Sequence, residues 1–145
     1  MLVHRSGLDE RETRTMQILQ PEQWAQPRGY SNGIAATGRM VFVAGQIGWN
    51  ANAELVSDNF VQQCRQALAN IVTVLAEAGA TPDQITRLTW YIVDKQQYLA
   101  AAREVGAVYR EVVGNHYPAM SLLVVADLLE DGALVEIEAT AVIPS

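Results

Sequence analysis

The segments Tyr117-Pro118-Ala119-Met120-Ser121 and Val135-Glu136-Ile137-Glu138-Ala139-Thr140-Ala141 decide the fold of this chain. Residues 119–126 are mostly apolar and residues 134–142 alternate, which predicts two strands. Asp131-Gly132 lies between them and favours a hairpin-type connection. Successive side chains of a strand point to opposite faces, so Glu136 and Glu138 share one side, about 7 Å apart.

The residues before this region predict two more strands and two helices. Residues 40–44 are an apolar run between glycines, and residues 87–93 are β-branched and aromatic, as strands are. Apolar residues recur every three or four positions over 58–78 and 96–113, which predicts helices. We expect Ser57 to cap the N-terminus of the first helix and Gly79 to terminate it.

This order of elements predicts an α+β fold, in which two helices pack on one face of a mixed sheet. The other face of the sheet needs a partner, so an oligomer is expected. Residues 1–20 are rich in charge and lack a clear period, and we interpret them as an N-terminal extension. A loop over 21–33 follows, and residues 21–145 are expected to form a single domain.

Composition and charge exclude several classes of protein. The net charge is −6, with one lysine and nine scattered arginines, which argues against nucleic-acid binding. Cys64 is the only cysteine, so no intrachain disulfide forms, and no ligand spacing indicates a metal or another cofactor. The chain has neither a signal-like start nor an apolar run of about eighteen residues, so we expect a soluble cytoplasmic protein without a membrane partner.

Only a few residues are candidates for a catalytic or binding role. Glu136 and Glu138 have a spacing that suits a water held between carboxylates, although alternate charges on a strand more often mark a solvated face. Tyr30 lies in the turn Gly29-Tyr30-Ser31, where it would form the wall of a cleft or pack at a loop edge. Arg28 stands two residues earlier and would offer a cation if this loop borders a cleft.

The motifs resemble those of the reactive-intermediate deaminase (Rid, or YjgF) family. The resemblance spans about residues 30–142 and is carried by the order and spacing of these segments: Gly29-Tyr30-Ser31, Ala44-Gly45-Gln46-Ile47, Gln66-Ala67-Leu68-Ala69-Asn70-Ile71, Ala78-Gly79, the strand Leu88–Val93, Tyr117-Pro118-Ala119-Met120-Ser121 and Val135–Ala141. It implies a chorismate-mutase-like fold and a homotrimer with clefts between its subunits. Deaminating members hydrolyse reactive imines or enamines to a ketoacid and ammonia.

The resemblance also implies roles for single residues. Tyr30 would be the cleft tyrosine and Glu136 the glutamate that orients water. Gly45, Gln46 and the backbone around Met120 and Leu122 would line the cleft. The family's carboxylate-binding arginine corresponds to Met120, which cannot make a bidentate grip on a carboxylate, and Leu122 stands where a cysteine is common. Ser121, Arg28 or no residue would then replace the arginine.

Two hypotheses follow, from different classes of protein. The first is a hydrolytic deaminase of a small imine, enamine or related metabolite, in which Glu136 positions water. The second is a non-catalytic trimer whose more apolar clefts, at Met120 and Leu122, bind a small ligand without turning it over. The older endoribonuclease name also follows the family, but the net charge of −6 argues against a nuclease here.

Overall fold

The computed structural model describes residues 16–145. Six strands and two α-helices occupy this range, with a short 3-10 helix at Pro82–Gln84: β1 (Met16–Leu19), β2 (Gly33–Ala36), β3 (Arg39–Gln46), α1 (Phe60–Glu77), β4 (Ile85–Ile92), α2 (Lys95–Val112), β5 (Ala119–Val124) and β6 (Val135–Ile143). No helix among the described residues is long and apolar enough to cross a membrane. The predicted α+β fold, with two helices on a mixed sheet, is confirmed.

The main sheet has the strand order β3-β6-β4-β5. β4 and β5 are parallel and joined through α2, whereas β6 runs antiparallel to both β3 and β4. The prediction of a hairpin-type connection at Asp131-Gly132 is therefore wrong, because β6 does not pair with β5. The parallel strands β4 and β5 are joined by the long crossover that such a pair requires, and β5 lies at the edge of the sheet while β6 lies between β3 and β4.

β1 and β2 form a separate antiparallel pair, with Met16 opposite Ala36 and Leu19 opposite Gly33. β1 falls inside the stretch that was predicted to be an extension, and both strands of this pair were missed because each has only four residues. Residues 1–15, the greater part of the predicted extension, lie outside the described residues.

Both helices begin at a side-chain cap. Asn59, not Ser57, caps α1: its side chain accepts a hydrogen bond of 3.0 Å from the backbone N–H of Gln62. The Ser57 hydroxyl oxygen instead accepts from the backbone N–H of Asn59, so the predicted cap lies two residues too early. Asp94 caps α2 in the same way through Gln97. Gly79 follows the end of α1 with φ +75°, as a terminating glycine requires.

The core lies between the helices and one face of the sheet. The apolar stripe of α1 contributes Cys64, Leu68, Ile71 and Leu75, all fully buried. The inward residues of β4 and β6 pack against this stripe: Leu88, Ile92, Val135 and Ile137. Neither α1 nor α2 covers the opposite face of the sheet, and we call the surface formed by its side chains the open face.

Candidate functional site

A cleft of about 490 Å³ opens between α2, strands β4 and β5 and the loop that carries Tyr30. The helix contributes Tyr98, Val105, Gly106, Tyr109 and Arg110, among others, to one wall. Five of the residues predicted for the site lie together in this cleft: Arg28, Tyr30, Met120, Ser121 and Leu122. We call it the helix-side cleft.

Ser31 brings the Tyr30 loop to β5. Its backbone N–H donates a hydrogen bond of 3.0 Å to the Pro118 carbonyl, and its hydroxyl donates to the Tyr117 carbonyl. Gly29 has φ +76°, a conformation that a side chain would strain, so it lets the chain turn just before Tyr30. These contacts place Arg28 and Tyr30 beside Met120, about ninety residues further along the chain.

Aromatic side chains form much of the helix-side cleft. Tyr109 and Tyr117 stack with ring centroids 5.4 Å apart, and the Tyr109 hydroxyl donates to the His116 carbonyl at 2.6 Å. Burial raises the pKa of Tyr109 and, to a lesser degree, that of Tyr98. Both phenols are therefore neutral at physiological pH, which keeps this wall apolar and free of negative charge.

Glu136 lies elsewhere, in a smaller pocket of about 90 Å³ near the start of β6. Gly45, Ile47, Trp49 and the loop Leu128-Leu129-Glu130 complete this lining, and we call it the acidic pocket. The ladder between β3 and β6 shifts register between Val43 and Gln46. A Cβ at Gly45 would overlap the Glu136 carboxylate, so a larger residue at this position would require the Glu136 side chain to move.

Gln46, also predicted for the site, lines neither cavity. Its side-chain N–H donates to the Ala44 carbonyl at 3.0 Å, and its side-chain oxygen accepts from the Trp49 indole N–H at 3.4 Å. These contacts hold the irregular end of β3 and the loop after it. In this chain Gln46 supports the acidic pocket through Trp49, which belongs to the pocket lining.

Glu136 and Glu138 share a face of β6, as the alternation predicts, but their surroundings differ. The Tyr91 hydroxyl donates to Glu138 at 2.9 Å, and this hydrogen bond raises the pKa of the phenol. Glu138 is exposed, whereas Glu136 is half-buried in its pocket and no residue within 16–145 donates a hydrogen bond to it. Of the two carboxylates, Glu136 is the one that lines a pocket.

The structure thus separates the predicted residues into two places on one chain. Arg28, Tyr30, Met120, Ser121 and Leu122 line the helix-side cleft, while Gly45 and Glu136 line the acidic pocket. The α2 wall was not predicted, because its apolar residues were interpreted as a packing stripe and Arg110, near the end of the helix, as a solvent-exposed cation. Within residues 16–145, no three His, Cys, Asp or Glu side chains are grouped to hold a metal ion.

The family model and the relatives that match this chain indicate the same family. The family model described as Endoribonuclease L-PSP matches residues 22–143. A RutC family protein from Synechocystis is 34% identical over 90% of this chain and 99% of its own length. The 2-iminobutanoate/2-iminopropanoate deaminase of Capra hircus is 33% identical over 78% of this chain and 79% of its own length.

Solved structures agree with these relatives. A Rid-family protein of unknown function from Yersinia pestis is 36% identical, with a TM-score of 0.77, and the match covers 90% of this chain and all of that one. A member of the YjgF/YER057c/UK114 family from Mycobacterium tuberculosis is 36% identical, with a TM-score of 0.60, over 79% of this chain and 87% of that one. The chain belongs to the Rid/YjgF family, the family of the Endoribonuclease L-PSP model.

Proposed function

We propose that this protein is a hydrolytic deaminase of a small imine or enamine, acting at sites shared between the subunits of a homotrimer. In each site, the helix-side cleft of one subunit binds the substrate and Glu136 of the next subunit positions water. The observation that carries this proposal is the placement of Glu136 in a pocket separate from the cleft that contains Tyr30 and Met120. One chain alone does not bring these groups together.

The open face supports the association of subunits. Phe42 is 71% exposed, Met40 57% and Leu123 45%, and all three lie on the same side of the sheet as Glu136 and Glu138. Leu129, beside the acidic pocket, is fully exposed. Clustered large apolar side chains of this kind are typical of protein–protein contacts. A second copy that covers this face would also reach Glu136.

The chemistry needs only a positioned water and a base. Water attacks the imine carbon and forms a C–O bond while the C=N double bond becomes single, and the Glu136 carboxylate takes a proton from that water. Glu136 passes this proton to the nitrogen, which completes the carbinolamine. The carboxylate then takes the proton of the carbinolamine hydroxyl and transfers it to the amine nitrogen, so the C–N bond breaks, ammonia leaves and the C–O bond becomes the carbonyl of a ketone. The same step serves an enamine after it tautomerises to the imine.

The test uses an amino-acid oxidase to generate 2-imino acids in the presence of semicarbazide. Because the trap and the protein compete for the imine, active protein lowers the rate of semicarbazone formation. We expect Glu136→Gln to lower the hydrolysis rate at least about 100-fold, the usual contribution of a general base. Glu138→Gln, on the same face and bonded to Tyr91, is the matched control and should retain activity. Equal activity of Glu136→Gln and the parent would refute the role of Glu136.

A second candidate is a trimer that binds a small ligand without turning it over. It is favoured by Met120 and Leu122, which leave apolar surface in the cleft where the family resemblance leads one to expect an arginine and a cysteine. The variant Met120→Arg separates the two candidates. If only this variant hydrolyses imino acids, the scaffold is competent and the native ligand differs from them; if neither protein does, the binding function is preferred.

The homotrimer is tested by the molar mass in solution, which should be three times that of the chain.

The cytoplasmic location stays a prediction from the sequence, and one relative, from Schizosaccharomyces pombe, is named as mitochondrial.

A further inference from the structure

The charge of the helix-side cleft is opposite to that of the chain. The whole protein has 16 acidic and 10 basic residues, a net charge of −6. Among the described residues that line the cleft, however, two are arginines, Arg28 and Arg110, and none is an aspartate or a glutamate. A cavity with cations and no carboxylates, set in an acidic protein, selects an anion.

Arg110 has no ionic partner among the described residues. The nearest acidic residue along the chain, Glu111, forms an ion pair with Arg65 instead, with 2.6 Å between the guanidinium nitrogen and the carboxylate oxygen. Elsewhere, the Arg39 guanidinium donates to the Ala78 carbonyl at the end of α1. Within residues 16–145, Arg110 is thus a guanidinium that lines the cleft and forms no ion pair.

The helix directs Arg110 into the cleft. Gly106 lies one turn earlier, and a Cβ there would stand 3.4 Å from a terminal nitrogen of Arg110, so the guanidinium extends back over the glycine. Gly106 itself lines the cleft. A cation in the last turn of a helix also interacts favourably with the helix dipole, which is the alternative reason for an arginine here. The dipole does not account for the absence of carboxylates around it.

The rest of the cleft is shaped for an apolar group. Met120 and Leu122 present partly exposed aliphatic surface on β5, facing the aromatic residues of α2 and β4. The volume of about 490 Å³ falls within the range of about 300–1,000 Å³ for small-molecule sites, and so has room for more than a three-carbon acid. Trp90 also lines the cleft, with a side chain that is 3% exposed. Its indole N–H has no hydrogen-bond partner in the described structure.

We infer that Arg110 holds the carboxylate of a 2-oxo or 2-imino acid whose branched or aromatic side chain packs on Met120 and Leu122. This assignment deepens the proposed function and rests on it for the identity of the ligand. The anchor comes from α2 instead of from β5, where Met120 stands. Arg28, on the loop before Tyr30, adds a second positive charge at the cleft.

The experiment is isothermal titration calorimetry on the full-length protein with three probes. 4-Methyl-2-oxopentanoate carries both the carboxylate and the branched chain, pyruvate lacks the branched chain, and 4-methylpentan-2-one lacks the carboxylate. We expect the first to bind tightest and the uncharged ketone not to bind. Inorganic phosphate is a fourth probe: phosphate binding as tight as that of the oxoacid would overturn the carboxylate assignment.

Arg110→Ala should weaken the binding of 4-methyl-2-oxopentanoate about 10- to 100-fold, the usual loss for a hydrogen bond to a charged group. Arg103→Ala is the matched control, because it removes an exposed arginine from the same helix that does not line the cleft, and its affinity should stay within about twofold of the parent. Met120→Ala should reduce the preference for the branched acid over pyruvate. Parental affinity in Arg110→Ala, an equal loss in Arg103→Ala, or equal binding of pyruvate and the branched acid would overturn the proposal.

The imine-hydrolysis assay separates this proposal from the proposed function. Glu136→Gln should keep the parental affinity for 4-methyl-2-oxopentanoate while losing hydrolysis. If Arg110→Ala hydrolyses the imino acid at the parental rate and KM, the anchor is wrong and the deaminase function stands. If the parent binds the branched acid through Arg110 but hydrolyses no imine, the anchor is right and the catalytic proposal fails.

Discussion

The helix-side cleft and the acidic pocket lie on the same chain but differ in charge, size and support. The cleft is about 490 Å³, lined by two arginines and several aromatic side chains. The pocket is about 90 Å³, and its lining within residues 16–145 includes Glu130 and Glu136 but no cation. The helix-side cleft is therefore suited to bind an anionic substrate, and the acidic pocket is suited to position a base.

The largest effect is expected from mixed trimers of two inactive variants. Met120→Trp fills the cleft and Glu136→Gln removes the base, so each variant alone should lose at least about 100-fold in hydrolysis. If each site takes one region from each of two neighbouring subunits, an equimolar mixture should recover about a quarter of the parental rate. The measurement is the hydrolysis rate after the two chains are unfolded and refolded together.

The control for this experiment is a mixture of Glu136→Gln with Glu136→Ala, which lack the same group and should stay inactive. A mixture of Met120→Trp and Glu136→Gln that also stays inactive, with the trimer mass intact, would contradict a site shared between subunits.

The next largest effect is a loss of stability on substituting Gln63, which holds the loop that leads into β6. Gln63 is fully buried; its amide N–H groups donate to the carbonyls of Ser57 and Gly132, and its side-chain oxygen accepts from the Leu134 backbone N–H. Gln63→Leu leaves these backbone groups without a partner in the loop that leads into β6. We expect the free energy of unfolding to fall by about 3 kcal/mol or more, as measured by urea denaturation.

Gln62→Leu, at an exposed position of the same helix, is the control and should change stability by less than about 0.5 kcal/mol. A small loss in Gln63→Leu would mean that the loop before β6 does not depend on this side chain.

A smaller and more local effect is expected at Gly45. The methyl group of Gly45→Ala overlaps the Glu136 carboxylate, whose side chain must then turn away. A displacement of this kind should lower the hydrolysis rate about 10- to 100-fold and leave oxoacid binding by the cleft unchanged. In the control Gly33→Ala, the added methyl meets only the Leu19 side chain, and the rate should stay parental. A loss of binding in Gly45→Ala would show that the two regions are not independent.

The smallest predicted effect is a change in how stability depends on pH, caused by groups buried on the helix side of the sheet. Burial raises the pKa of the Cys64 thiol to about 12, from 9.0. Between these values the unfolded chain has lost the proton and the folded chain retains it, so the free energy of unfolding falls as pH rises, by at most about 1.4 kcal/mol per pH unit. In Cys64→Ala the dependence of stability on pH should be shallower between pH 9 and 11, as measured by urea denaturation.

At pH 7 the Cys64 thiol is protonated in both states, so this contribution is fully present there and does not vary with pH. An unchanged slope in Cys64→Ala would assign the alkaline loss of stability to the phenols of Tyr98 and Tyr109, whose pKa values burial also raises.

Much of the fold was predictable because its elements are long and periodic. The helices predicted over 58–78 and 96–113 are observed at Phe60–Glu77 and Lys95–Val112. Their apolar stripes repeat at the helical period, a local signal that needs no knowledge of neighbours. β1 and β2 gave no such signal, since four residues hold too few repeats to show a period. The cap at Asn59 was missed because Ser57 and Asn59 are both good capping residues, and only the local geometry selects one.

The candidate site was predictable only in part. Tyr30, Met120 and Leu122 were expected to share a cleft and do, because Ser31 joins the Tyr30 loop to the start of β5. Arg110 was not singled out, since an arginine near the end of a helix most often interacts with solvent and the helix dipole. The signal that would have found it is Gly106, four residues earlier, which leaves space beneath a long side chain.

The sequence by itself determined the helices, most strands and the alternation that places Glu136 and Glu138 on one face of β6, since these follow from contacts between residues close along the chain. The tertiary structure alone decided that β6 lies between β3 and β4. It also decided that Glu136 faces a pocket apart from the cleft and that Arg110 enters the cleft. The physical reason is that strand order and cavities depend on which apolar faces meet across long distances in sequence, and such pairings carry no local period.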